Sequence, residues 1–321
     1  MKRIAPALGL FFLAPFIGEF LLGNVAIDAI FALPILAPLY GGGALLIREI
    51  ARRTGRGWPA IVLLGCAYAV FEESIVTQLI FNPDYPGVDM AGPTWIPALG
   101  INASVVLAIL SLHAGWSICV SIALMEALVP DRRTQPWLSS RGLWITAAIF
   151  LAGSGFITWS EIIERRFIAS SAQLGVSLAV IAALIALGLR GLLPDRRAET
   201  GGVPPPWAIV LLVLLLTMLG LVVLDTGTWW GVGAWGLIVA LLLGSLAYAT
   251  TRKVWSPRHA VGAICGAILT YAWIGFPQVP TIGTPGSVDT FGNTVFTVVA
   301  FGLVALAWKR TGPRISSLER P

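Results

Sequence analysis

Two adjacent carboxylates, Glu72 and Glu73, lie inside the otherwise apolar run AYAVFEESIVTQLIF (67–81). An ionisable side chain at mid-membrane depth costs roughly 2.5–3.5 kcal/mol on insertion scales, so two in succession mark a pathway or a reactive site. His113 falls within the next apolar run and Glu19 within the first, both at comparable depth. A carboxylate held against an imidazole can activate water or relay a proton, because each group shifts the other's proton affinity. Glu72, Glu73 and His113 are therefore the candidate catalytic residues. Thr77 shares a helical face with Glu73, and Asn102 shares one with His113; with Glu19 they form the candidate substrate-binding set. Neighbouring residues on a helix point about 100° apart. One glutamate is thus expected to meet His113 and the other to meet the first helix near Glu19.

These residues need a membrane bundle to position them. The chain of 321 residues is 57% hydrophobic and 12% charged, with a mean hydropathy of +0.85. A soluble domain carries about 25% charged residues. Apolar runs of about 20 residues signal spanning helices. Ten are read, near 4–23, 25–47, 58–81, 100–128, 143–160, 174–193, 207–226, 231–250, 260–277 and 292–308. The first follows Met-Lys-Arg but is long enough to span and is interrupted by Glu19, so a retained helix is expected rather than a cleaved signal peptide. With both termini on the cytoplasmic side, every Lys and Arg except Arg165 and Arg166 falls on that face, as the positive-inside rule requires. The expected fold is an all-α polytopic bundle of about ten helices in a bacterial-type inner membrane. The polar stretch DRRAETGGVPPP (195–206) reads as a cytoplasmic linker between a six-helix part (1–194) and a four-helix scaffold (207–321). In the latter, Gly262-x-x-x-Gly266 suits close helix packing.

Other templates are excluded. The net charge of +5 is accounted for by topology, so no nucleic acid is expected as a partner. There is no phosphate loop, HExxH or GxSxG, and two distant histidines do not make an ordinary zinc site. No metal or other cofactor is expected. Cys66, Cys119 and Cys265 read as small buried hydrophobes. Asp28 is expected to cap the second helix, Arg48 to snorkel to the surface, Glu126 to be solvated or paired near Arg132 and Arg133, and His259 to be structural.

The Glu72-Glu73 pair with His113 in the following helix resembles the CAAX-protease/bacteriocin-processing family of intramembrane glutamic proteases, which pairs EExxxR with FxxxH. Here Thr77 stands where that family has Arg, Ile109 where it has Phe, and no histidine occurs in a later span. The resemblance covers the third and fourth helices. It implies a metal-independent hydrolase in which Glu73 is the general base, Glu72 its partner and His113 the orienting or oxyanion group. The missing histidine could be replaced by Asn293 if the last helix returns beside the fourth. The expected substrate is a membrane-embedded peptide or small molecule, and membrane lipid is the surrounding partner. Two alternatives stay open. One is a proton-coupled transporter, in which Pro34, Pro38 and Gly41-Gly42-Gly43 mark a flexible or broken second helix. The other is a non-catalytic scaffold or binding protein.

Overall fold

The computed structural model describes residues 4–191 and 199–312. Each expected span has a helical counterpart: α1 (Ala5–Phe20), α2 (Ala32–Arg53), α3 (Trp58–Val76), α4 (Ala103–Leu128), α5 (Ser140–Arg165), α6 (Ser171–Arg190), α7 (Pro206–Asp225), α8 (Trp229–Thr250), α9 (Pro257–Gly275) and α10 (Ser287–Arg310). Eight of them are long and apolar enough to cross a membrane, and α1 is a shorter apolar helix; α9, one of the ten expected spans, is not among the eight. Of the expected linker 195–206, residues 195–198 lie outside the described residues, as do the basic residues Lys2, Arg3, Arg196, Arg197, Arg314 and Arg320. Within the part described, Glu199 pairs with Arg252 at 2.8 Å, and the chain enters α7 at Pro206.

Local sequence explains the helix ends. Ser139, Ser170 and Thr228 accept backbone N–H groups at the starts of α5, α6 and α8, and Ser170 forms a reciprocal capping box with Gln173. His259 plays the same part for α9: its Nδ1 accepts the Ser256 N–H at 3.0 Å, the structural role expected of it. The third span ends sooner than the hydropathy suggests. Gln78 takes a left-handed conformation (φ 55°), which a non-glycine residue adopts at a cost of about 1–2 kcal/mol. The turn is held by the Gln78 side chain, which accepts the Ala169 N–H at 2.6 Å. The second span begins later than expected, because 23–31 forms a turn containing the short helix Ile27–Ala29. Asp28 does not cap α2. It accepts the Thr284 N–H at 3.3 Å and ties down the loop between α9 and α10; this bonding holds its carboxyl below the usual range.

α4 is the hub. It packs against α1, α2, α3, α9 and α10, so the first and fourth helices touch, as do the third and fourth. Trp116 of α4 stacks on Tyr271 of α9, with centroids 4.6 Å apart, and donates to the Ala267 carbonyl at 2.7 Å. The last four helices are therefore joined directly to the polar part of the bundle. α7 lies close against α9 because Gly262 and Gly266 carry no side chain. A Cβ on either would come within 2.6 Å of a backbone carbonyl of α7.

The triple glycine does not break α2, which runs unbroken through it. Three successive helical positions face three different neighbours. A Cβ at Gly41 would lie 1.9 Å from the Phe11 carbonyl of α1. At Gly42 it would lie 3.0 Å from Phe150 of α5, and at Gly43 2.4 Å from the Tyr68 ring of α3. The glycines bring α1, α3 and α5 up against one helix; they are packing surfaces rather than hinges.

Candidate functional site

The helices carrying the candidate residues are not α-helical where those residues stand. Phe16–Phe20 of α1, Glu72–Val76 of α3 and His113–Val120 of α4 are π-helical. They contain Glu19, Glu72 with Glu73, and His113 respectively. The i→i+5 bonds are explicit: the Thr77 N–H reaches the Glu72 carbonyl at 2.9 Å, and the Asn24 N–H reaches that of Glu19 at 2.9 Å. π-Turns are uncommon, occur chiefly as single bulges and concentrate at functional sites. Three of them converge here.

The geometry corrects the expected division of the two glutamates. Both meet His113. Its Nδ1 lies 2.9 Å from Glu72 Oε2, and its Nε2 lies 2.8 Å from Glu73 Oε1. Two features make this possible. The wider π-turn separates consecutive side chains by less than the 100° of an α-helix. The imidazole also presents a nitrogen on each of two edges, so one ring bridges two diverging carboxylates. The side chains of Glu72 and Glu73 are 1% and 4% exposed, whereas that of His113 is 13% exposed, so the open edge of the cluster belongs to the histidine.

Glu19 finds a different partner. Its carboxylate accepts the Tyr40 hydroxyl of α2 in a short hydrogen bond and the Asn24 side-chain amide at 3.2 Å. The Tyr40 ring then lies against His113, with centroids 5.9 Å apart. Gly18 allows this approach, since a Cβ there would come 2.6 Å from Ser117 Oγ on α4. Glu19 thus joins the layer through Tyr40, a residue the sequence reading passed over. A signal for it existed: Tyr40 and Tyr68 are two of only five tyrosines and stand at mid-span rather than at interfacial depth.

Thr77 is in the cluster: its hydroxyl donates to Glu73 Oε2 at 3.0 Å. Asn102 is not. Its side chain caps α4 by accepting the Val105 N–H and binds the hydroxyls of Thr94 and Ser104 at 2.6 and 2.9 Å. Asn293 does not supply a missing histidine either. α10 does return beside α4, but the Asn293 amide donates to the Gly275 carbonyl at 2.9 Å and to Asp289 at 3.2 Å.

Two atoms of the centre stand out. Glu72 Oε2 and His113 Nδ1 are close enough to pair as ions, yet neither makes a hydrogen bond of acceptable direction, and both are buried. The buried Tyr68 hydroxyl, one turn earlier on α3, also has no partner. Buried polar atoms are nearly always satisfied, and an exception calls for a reason. Toward the loop that follows α3, Tyr85 and Glu161 interact electrostatically with Glu73, and the Arg165 guanidinium lies 5.0 Å over the Tyr85 ring. Burial and the two acidic neighbours push the Tyr85 phenol well up.

A second buried charge cluster lies at the opposite end of the same helices. Arg48 is fully buried and does not snorkel. Its guanidinium binds Glu49 at 2.6 Å, Glu126 at 3.1 Å and the carbonyls of Arg132 and Arg133, and it stacks 3.6 Å from the Trp137 ring centroid. Glu126 is paired, as expected, but with Arg48 and Arg52 of α2 rather than with the arginines following it.

No curated protein and no solved structure matches the chain. A family model matches residues 8–309, and the chain thus belongs to the family that model describes, an uncharacterized membrane protein family.

Proposed function

We propose that Glu72, Glu73 and His113 form the catalytic centre of a membrane-embedded hydrolase acting on a peptide or small molecule held in the bilayer. One observation carries this reading: a single imidazole contacts both carboxylates at 2.8 and 2.9 Å, on π-helical segments of adjacent helices. The likeness to the intramembrane glutamic proteases assigns these same three residues to one centre. Glu73, nearer the loop and held by Thr77, takes a proton from water as the water attacks a carbonyl carbon. Glu72 faces Nδ1 and keeps the ring oriented and positively charged. The Nε2–H, freed from Glu73 as that carboxylate turns to water, then donates to the developing oxyanion.

The test is a comparison of N-terminal peptides from membranes of cells expressing the protein or its Glu73→Gln variant. The expected result is a set of new termini within membrane proteins that is absent with the variant, while the variant accumulates to the same level. Identical profiles overturn the reading.

A second reading rests on a different observation. The contacts Gln278–Asn24–Glu19–Tyr40 form a polar path from the exposed surface to the edge of His113, in which the titratable groups Glu19, Tyr40 and His113 suit proton relay in a coupled carrier and the two amides orient them. Proton-driven uptake in vesicles that is lost in Tyr40→Phe favours the carrier; cleavage that survives this substitution favours the hydrolase.

A further inference from the structure

We infer that the same cluster is a binding site for one divalent first-row transition ion, such as zinc or manganese, held by Glu72 and by His113 Nδ1, with Glu73, now at the other ring nitrogen, turning in as the third protein ligand. The residues were singled out above for proton chemistry alone; three separate observations point to a metal.

The first is distance. Glu72, Glu73 and His113 each offer a ligand atom, and these atoms lie within 4.8 Å of one another, so a small inward turn brings all three within the span of about 4.2 Å open to ligands of one ion. Two ligands each about 2.1 Å from an ion stand about 3 Å apart at the right angles of an octahedral site and about 3.4 Å apart at tetrahedral angles. Glu72 Oε2 and His113 Nδ1 stand 2.9 Å apart.

The second is direction. A proton shared between those two atoms would lie on the line joining them and make a hydrogen bond. At 2.9 Å the two atoms form an ion pair but not a well-directed hydrogen bond, although both are buried. Two lone pairs converging on a point off that line are what a metal requires.

The third is charge. With both carboxylates ionised, an imidazolium leaves one negative charge uncompensated at membrane depth. A divalent ion with a neutral imidazole leaves none. Uncompensated charge in this setting is costly. The donor set, one imidazole nitrogen with carboxylate oxygens, suits zinc and manganese better than the thiolate-seeking ions, and no cysteine belongs to the cluster. Thr77 holds the second oxygen of Glu73, and the first, now 2.8 Å from His113 Nε2, leaves that nitrogen to reach the ion. Three protein ligands leave open positions for water, the arrangement of catalytic rather than purely structural sites. Bound there, the ion would take over activation of that water, and Glu73 would serve as ligand instead of base.

The inference does not depend on the hydrolase reading, and the experiment separates the two. The full-length protein, purified in detergent, is stripped with a chelator, desalted and titrated with zinc or manganese chloride alone. About one equivalent is expected to bind to the wild type and to His259→Ala. Retention is expected to fall at least tenfold in Glu72→Gln and in His113→Ala. Pulsed electron paramagnetic resonance of the manganese-loaded wild type needs no variant and is expected to detect one imidazole nitrogen on the metal, still present in His259→Ala. Failure of the wild type to retain either ion overturns the site. So does retention unchanged in both Glu72→Gln and His113→Ala, or the absence of a nitrogen coupling. Binding without any peptide cleavage upholds the metal site and rejects the hydrolase.

Discussion

The two ends of the bundle hold two buried charge clusters built from the same materials in opposite ways. At the basic end, Arg48, Arg52, Arg53, Glu49 and Glu126 sit on regular α-helical turns. Each carboxylate there accepts two or more donors, and each nitrogen of Arg48 has a partner. At the other end, Glu19, Glu72, Glu73 and His113 sit on π-turns, and Glu72 Oε2 and His113 Nδ1 form an ion pair without a well-directed hydrogen bond, as the Tyr68 hydroxyl also lacks one. The lower cluster has every feature of a brace, because a satisfied buried network fixes α2, α4 and the 130–138 segment in one arrangement. The upper cluster is paired by charge but not fully satisfied by directed hydrogen bonds. Proteins accept such local cost chiefly where chemistry or binding needs it. Burial alone does not separate function from support; incomplete satisfaction and helix irregularity do.

Substitutions can break or sharpen this contrast. The largest loss is expected at the brace. Arg48→Ala leaves Glu49 and Glu126 short of a partner in the interior, and removing one member of a buried ion pair costs about 3–5 kcal/mol. The expected outcome is a correspondingly lower unfolding midpoint in detergent, with no change in metal retention per folded molecule.

Gly41→Ala comes next. Its added Cβ meets the Phe11 carbonyl, so α1 must move off α2 and carry Glu19 away from Tyr40. Overpacking of this kind costs about 1–3 kcal/mol. The variant is expected to lose activity while the Arg48 network, about two turns further along α2, stays intact. Proteolytic protection of the 130–138 segment checks this. Tyr40→Phe removes only a hydroxyl and leaves Glu19 with Asn24 as its side-chain donor. The loss is expected at about 1–2 kcal/mol, since a hydrogen bond to a charged group is stronger than a neutral one. Chemical denaturation of the purified variant measures it.

The smallest effect is expected from Thr77→Val, which deletes the bond to Glu73 Oε2 and should cost about 1 kcal/mol or less in stability. Activity should fall more than stability does, because that bond aims the carboxylate. A comparison of turnover with unfolding midpoint for this one variant separates positioning from support.

The sequence makes the bundle legible and the site partly so. Apolar run length locates each helix, because a span must satisfy its backbone internally and exclude charge. The depth of Glu72, Glu73 and His113 follows from counting residues along regular helices. Their mutual facing does not, because the count assumes 100° per residue and the three π-turns each depart from it. Arg48 was misplaced for a related reason. A long basic side chain near a helix end ordinarily reaches for water, and only the fold shows that Glu126, 78 residues later, and the backbone of Arg132 and Arg133 come round to enclose it. The triple glycine likewise reads as flexible until its three neighbours are known.

The most direct test of the contrast is a pair of isosteric changes, Glu126→Gln and Glu72→Gln, unfolded side by side in one detergent. Each removes a single buried carboxylate charge beside a basic partner. Glu126→Gln is expected to lower stability by about 3 kcal/mol or more, since it strips Arg48 and Arg52 of their shared counter-ion. Glu72→Gln is expected to leave stability within about 1 kcal/mol of the wild type, or to raise it, while abolishing metal retention. Equal losses in the two variants would contradict the account and make the upper cluster a second brace.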